Sequence, residues 1–180
     1  MNLKWIFHTA VIFSVPFLTF GNSKHTFHSK YDGQESREIK SLSEVDIDEL
    51  TNGKGWGLAK AAELNGVPGP VHLLEMKEEI HLSQNQIKQI TSLYQEMKHR
   101  AIPLGLKLIQ LEKELNKYFA DGLITDEKLQ DILGKIAQTN MQLRYIHLST
   151  HLKTPKILAS EQIDLYNKLR GYSRSSQPRS

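Results

Sequence analysis

The sequence predicts an all-α protein: a long antiparallel helical hairpin with short accessory helices folded over it, expected to pair as a dimer. Three observations carry this. No segment sustains period-two alternation, so strands are not indicated. Apolar residues recur at alternating spacings of three and four at Ile87, Ile90, Tyr94, Met97, Ala101, Leu104, Leu108, Leu111, Leu115 and Tyr118. That is a coiled-coil seam rather than a generic amphipathic face. A second helical pattern (Leu129, Ile132, Leu133, Ile136, Leu143, Ile146) follows after a short break at Ala120-Asp121-Gly122. One hairpin cannot bury both faces of its seam, so the short helices or a second subunit must cover it; a homodimer is the favoured expectation.

The elements follow in order. Positions 5–20 form an apolar run behind a lone Lys4, interrupted by Pro16, and read as a secretory signal over 1–21. The run is short for a span of roughly 20 apolar residues. An uncleaved anchor is the alternative. Residues 22–43 are polar and predict a flexible arm. Region 44–69 predicts short helices and Gly/Pro-rich turns, the first helix capped by Ser43 with Asp46 at the third position. Gly53-Lys54-Gly55-Trp56-Gly57 superficially resembles a phosphate loop. It lacks the Lys-Ser/Thr ending and a preceding strand, and reads as a turn into a helix over 58–64. Gly66-Val67-Pro68-Gly69-Pro70 ends that helix and sets Pro70 at the start of the next, over 70 to about 80. Ser83 and Gln86 make a capping box for the long helix, in which Pro103 and Gly105 predict a kink, not a break. Thr125 caps the following helix, which Pro155 ends near 152, and a last one spans 160–169. The hairpin domain thus covers 70–171, and 172–180 reads as a disordered tail.

Composition excludes several functions. At 180 residues there is room for one domain with tails, and 39% hydrophobic with 24% charged residues is an ordinary globular balance. A net charge of +3 gives no clustered basic face, so nucleic acid is not an expected partner. The absence of cysteine removes disulfides, thiolate metal sites and thiol redox chemistry. Export without cysteine suits a periplasm better than a disulfide-stapled secreted fold. No local signature of a catalytic centre is present, and no enzymatic activity or organic cofactor is expected.

The histidines carry the chemistry. His147 and His151 sit four apart, about 40° from each other around a helix, where they can share a metal ion. The zinc-protease version needs Glu after the first His, and Leu148 stands there. Both extend the apolar stripe of their helix, so two interface histidines satisfied by backbone or water are the alternative reading. Folding the hairpin about its turns brings His72 level with the pair. The expected metal ligands are therefore His72, His147 and His151, with Glu75 as fourth, Met76 or water as substitutes and His99 nearby. Such N/O ligands suit zinc, nickel or cobalt. His25 and His28, in the polar arm, are read as incidental.

Leu82-Ser83-Gln84-Asn85-Gln86 resembles the Leu-Thr-x-x-Gln motif of the Spy/CpxP/ZraP superfamily, with Ser for Thr. Leu158-Ala159-Ser160-Glu161-Gln162 is similar to a second copy, keeping Leu158 and Gln162. Residues 57–66 and 68–75 also look like the opening of a branch described as periplasmic heavy-metal sensors or refolding chaperones. The resemblance implies a periplasmic, often dimeric helical hairpin without catalytic residues. Some relatives bind zinc, nickel or cobalt; others hold unfolded envelope proteins without ATP or modulate a membrane stress sensor. The extra region 31–69 departs from the Spy pattern. The expected function is metal binding in envelope stress or heavy-metal resistance, with a refolding chaperone as alternative.

Overall fold

The computed structural model describes residues 29–172. The N-terminal apolar run, His25, His28 and the tail beyond 172 lie outside the described residues. The chain divides into two units, Met1–Asp32 and Gly33–Ser180. In the first, the Asp32 N–H donates to the Ser29 carbonyl at 3.1 Å, closing a turn. The second carries all the described helices: α1 (Glu44–Thr51), α2 (Lys60–Glu63), α3 (Pro70–Glu75), α4 (Gln84–Ala120), α5 (Asp126–His151) and α6 (Ser160–Leu169), with 3-10 turns at Gln34–Ser36 and Thr154–Lys156. Among the described residues no strand occurs, and no helix is long and apolar enough to cross a membrane.

α4 is the spine. Ser83 Oγ accepts from the Gln86 N–H while the Gln86 side chain accepts from the Ser83 N–H, so two otherwise unpaired donors are satisfied at its start. The helix runs unbroken through Pro103, which costs one backbone hydrogen bond on an exposed face. The three-four seam is its buried face: Ile90, Met97, Ala101, Leu108 and Leu111 are all buried. Against Met97, Ala101, Leu108 and Leu111 pack Ile132, Ile136, Leu143 and Ile146 of α5 and Leu50 of α1, making one core. At roughly 1.5–3 kcal/mol per large apolar side chain removed from water, this layer is the main source of stability. The seam is therefore covered from within one chain. The reason the sequence offered for a second subunit at this face is already met by α5 and α1.

Three stretches differ from expectation in extent. Ile39 and Leu42, in the polar segment read as an arm, are buried in the α4–α5 core. Two apolar side chains are enough to fix a short segment that composition alone reads as loose. The helix predicted over 58–64 shrinks to α2, because Gly57 (φ 67°) and Gly66 (φ 78°) turn the chain on either side of it. The helix predicted to about 80 stops at Glu75. Successive turns then deliver both Ile80 and Leu82 to a second core with Leu73, Ile90 and Tyr166.

Of the two similar motifs, Leu82 belongs to that second core and the partly buried Leu158 packs against it, and their glutamines meet. Gln86 Nε2 donates to Gln162 Oε1 at 2.8 Å and to the Ile157 carbonyl at 2.9 Å. Gln162 Nε2 returns a bond to Gln86 Oε1 and another to the His81 carbonyl, while its Oε1 accepts from the Ala159 N–H. Each glutamine thus caps its own helix and ties it to the other. Ala159 supplies no cap hydroxyl, so α6 depends on Gln162 for its first turn. Gln86→Ala and Gln162→Ala should each cost about 1–2 kcal/mol in urea unfolding. A double-mutant cycle should return a coupling of about 1 kcal/mol; strictly additive losses would deny the lock.

Candidate metal site

A cavity of about 470 Å³ opens beside the main core, with Tyr94 and Met97 in its wall. Its walls come from five places in the chain: the Gly53–Gly57 loop, α2, the start of α3, Tyr94 and Met97 of α4, and the last turn of α5. His72, Glu75, His147 and His151 all line it. Two helices, α3 and α5, therefore deliver the four expected ligands to one hollow.

His147 and His151 reach it because the apolar stripe of α5 continues through them. Both are buried, at 3% and 7% exposure. His147 Nε2 is buried with no hydrogen-bond partner. An orphaned ring nitrogen costs roughly 1–3 kcal/mol, a debt that a metal ion or a donor at this spot would remove. His151 is held differently. Its Nδ1 lies 2.8 Å from the Val67 carbonyl, which can only accept, so Nδ1 carries the hydrogen. In the neutral ring the lone pair is then on Nε2. Gly69 is packed against that imidazole so closely that a Cβ there would lie 2.7 Å from Cε1 and Nε2. Thr154 completes the clamp by donating to the Pro68 carbonyl at 2.6 Å.

His72 sits on the rim, its side chain 37% exposed, with Nδ1 2.8 Å from Glu75 Oε2. An ionised carboxylate only accepts, so this contact likewise places the hydrogen on Nδ1 and the neutral lone pair on Nε2. The Glu75 carboxylate thereby orients the His72 ring, an arrangement common around metal-bound imidazole. Among the described residues no three His, Asp or Glu side chains are gathered closely enough to hold one ion as they stand. The two pairs, His147 with His151 and His72 with Glu75, share the cavity without forming such a group.

Met76 and His99 do not join the site. Met76 packs on the second core, and His99 lines a separate groove between α4 and α5 with Met141 and Tyr145. Sequence reasoning missed Glu63 and the glycine loop, both of which line the cavity. Glu63 accepts from the Tyr166 hydroxyl and sits 3.4 Å from Arg170 Nε, without the alignment of a hydrogen bond. Burial, then the Glu63 contact, raises the Tyr166 pKa, so its phenol stays a donor. α2 is too short to show a periodic signal that would have found Glu63. The loop takes left-handed φ at Gly53, Trp56 and Gly57, and the Trp56 indole N–H donates to Asp46 at 2.7 Å, which pins it. It is a turn, as read, but one that walls a cavity.

Burial, and secondarily the neighbouring His151, pushes His147 down to a pKa of about 4 from 6.5. The unfolded chain therefore binds more protons than the folded one between those values, and stability must fall as pH falls through that window. By pH 4 the loss should approach about 3 kcal/mol, and His147→Gln should flatten it. Urea midpoints that hold steady from pH 7 to about pH 4 would contradict the burial of a neutral imidazole.

Compared with known proteins, the chain matches no family model, no curated protein and no solved structure.

Proposed function

We propose that the protein binds a transition metal in this cavity, through Nε2 of His147 and His151 with His72 closing the site from the rim. The observation that carries the reading is the orphaned, buried Nε2 of His147 beside a second imidazole whose tautomer already frees Nε2. Zinc, nickel and cobalt suit an imidazole-rich set. Glu75 steadies His72, and a water or Glu63 completes the coordination. Bringing the His72–Glu75 pair inward is a local rearrangement at a half-exposed rim, and its cost lowers affinity without preventing binding. We place the protein in the periplasm, in a heavy-metal or envelope-stress role. The scaffold is a hairpin in which α4 and α5 run antiparallel across the five-residue link between them, supported by their shared core. The pairing of Gln86 with Gln162 is consistent with the likeness of their two motifs.

Calorimetric titration of the purified chain with Zn²⁺, Ni²⁺ and Co²⁺ tests this. Saturable binding near one ion per chain at pH 7 is expected, weakening as the medium acidifies because protons compete for imidazole. Heats indistinguishable from dilution for all three ions would end the proposal. The chaperone reading keeps one observation in its favour, the exposed apolar side chains Met141 and Tyr145 on α5 and Leu152 just beyond its end. Undiminished light scattering from a denatured client at several-fold excess of the protein would remove it.

A further inference from the structure

The cavity beside His147 and His151 is much larger than an ion needs. At a water's share of roughly 30 Å³, a metal ion with three or four waters fills only about 100 Å³. The hollow holds about 470 Å³, which is the size of a site for a small organic molecule. The chain's own donors are also few. His147 and His151 supply two imidazole nitrogens from one helix, and among the described residues no third His, Asp or Glu is gathered with them. Two nitrogens leave two positions open on a four-coordinate ion and more on a six-coordinate one. His72, drawn in from the rim, fills one of them.

We infer that the cavity takes its metal as a chelate, an ion already holding a small hydroxycarboxylate of the citrate type. His147 and His151 then fill two positions on the metal, and Lys60 receives a free carboxylate of the chelator. This rests on the metal reading of the two histidines and names the form in which the metal is held. The charged groups on the cavity wall single out Lys60. Lys54 is paired with Asp48 at 2.6 Å, Glu75 is engaged by His72 at the rim, and Glu63 is met by Tyr166 and Arg170. Lys60 lines the same wall and has no ion-pair partner among the described residues, so its three donors are unspent. Its stem folds back over Gly57, where a Cβ would lie 3.2 Å from Lys60 Cε and 3.6 Å from Nζ. The missing side chain at Gly57 is what lets the ammonium lie along the loop that walls the cavity. Charge selects the chelator: the citrate trianion leaves its one-to-one complex with a divalent ion singly negative, which an ammonium attracts. An amino-acid chelate of the same stoichiometry is singly positive and is repelled. Tyr94 and Met97 offer the methylene groups an apolar wall. An ion that brings its own oxygens also needs no inward movement of His72.

Equilibrium dialysis of the protein against Ni²⁺ and labelled citrate at neutral pH tests this, with Ni²⁺ alone in a non-coordinating buffer run beside it. With both present, the protein should retain nickel and citrate in equal amounts, and citrate without nickel should be held at least about tenfold more weakly. Lys60→Gln changes an exposed side chain and should weaken citrate retention about fivefold, while binding of bare nickel stays within about twofold. The double variant His147→Ala/His151→Ala should lose both ligands. Free histidine in place of citrate should be retained at least about tenfold less. Nickel held with the citrate left behind, or nickel stripped from the protein by citrate, would overturn the inference and leave the metal reading standing. No retention of nickel in either form would end both. Citrate held equally with and without nickel would make the cavity an anion site and overturn the chelate. Citrate retention unchanged by Lys60→Gln, or histidine retained as well as citrate, would overturn the role of Lys60 and the choice of chelator.

Discussion

Replacing His147 and His151 together by Ala should weaken Zn²⁺ or Ni²⁺ binding by about two orders of magnitude or more. Loss of a direct ligand exceeds the roughly 10–100-fold typical for loss of a group that only orients one. The variant removes both nitrogens that the fold already buries at the cavity, leaving a rim imidazole that cannot hold an ion alone. Glu75→Gln should cost about tenfold, since a neutral amide still accepts from His72 Nδ1 but raises ring basicity less. His99→Ala, in the separate α4–α5 groove, is the internal control and should change nothing. His151 needs a further variant, because its ring also straps the Val67–Gly69 loop. His151→Asn keeps a donor near the Nδ1 position and loses the Nε2 lone pair. If binding falls with Asn as much as with Ala, the loss is one of ligation and not of fold. If the double alanine variant binds as tightly as the unmodified chain, the pair are interface histidines and the site lies elsewhere.

How far the sequence foretold this can be judged from particular residues. The buried face of α4 was legible because a three-four pattern held over nine turns can be satisfied only by a helix with one apolar stripe, and Ile90, Met97, Ala101, Leu108 and Leu111 fill it as expected. The caps were legible because Ser43, Ser83 and Thr125 can each accept from the third residue onward, and all three do. The convergence of His72 with His147 and His151 followed from hairpin register, a one-dimensional argument that locates residues along an axis but not around it. It therefore anticipated that these residues line one cavity while saying nothing of how their side chains are arranged around it. Ile39 and Leu42 were illegible for a different reason. Two apolar residues in a polar stretch have no period, and only the tertiary groove beside α4 gives them a place.

What covers the α4 seam was also beyond pattern reasoning. Periodicity shows that a face must be buried but not by what, and a second subunit was as good an answer as α5 and α1.

Gly105→Ala should be among the most damaging single substitutions in the helical unit, although alanine is the better helix former. α1 crosses α4 at this point, and a Cβ built on Gly105 would lie 2.2 Å from the Leu50 carbonyl oxygen and 2.8 Å from its carbonyl carbon. Those are backbone atoms, so no rotamer change relieves the clash; α1 must move as a body. Moving it disturbs Leu50, which is 2% exposed in the main core, and Gly53, where an added Cβ would lie 3.0 Å from the Ile102 side chain. Overpacking of this kind costs roughly 1–3 kcal/mol, more where backbone must shift, against a gain of at most about 1 kcal/mol from helix propensity. A net loss of about 2–3 kcal/mol should lower Tm by roughly 5–10 °C for a unit of this size. Gly55→Ala, where a Cβ meets nothing within 4 Å and φ is not left-handed, should leave Tm within about 2 °C. A Gly105→Ala protein melting with or above the unmodified chain would show that α1 does not lie across α4 at that separation, and with it the wall that α1 and its following loop give the cavity would be in the wrong place.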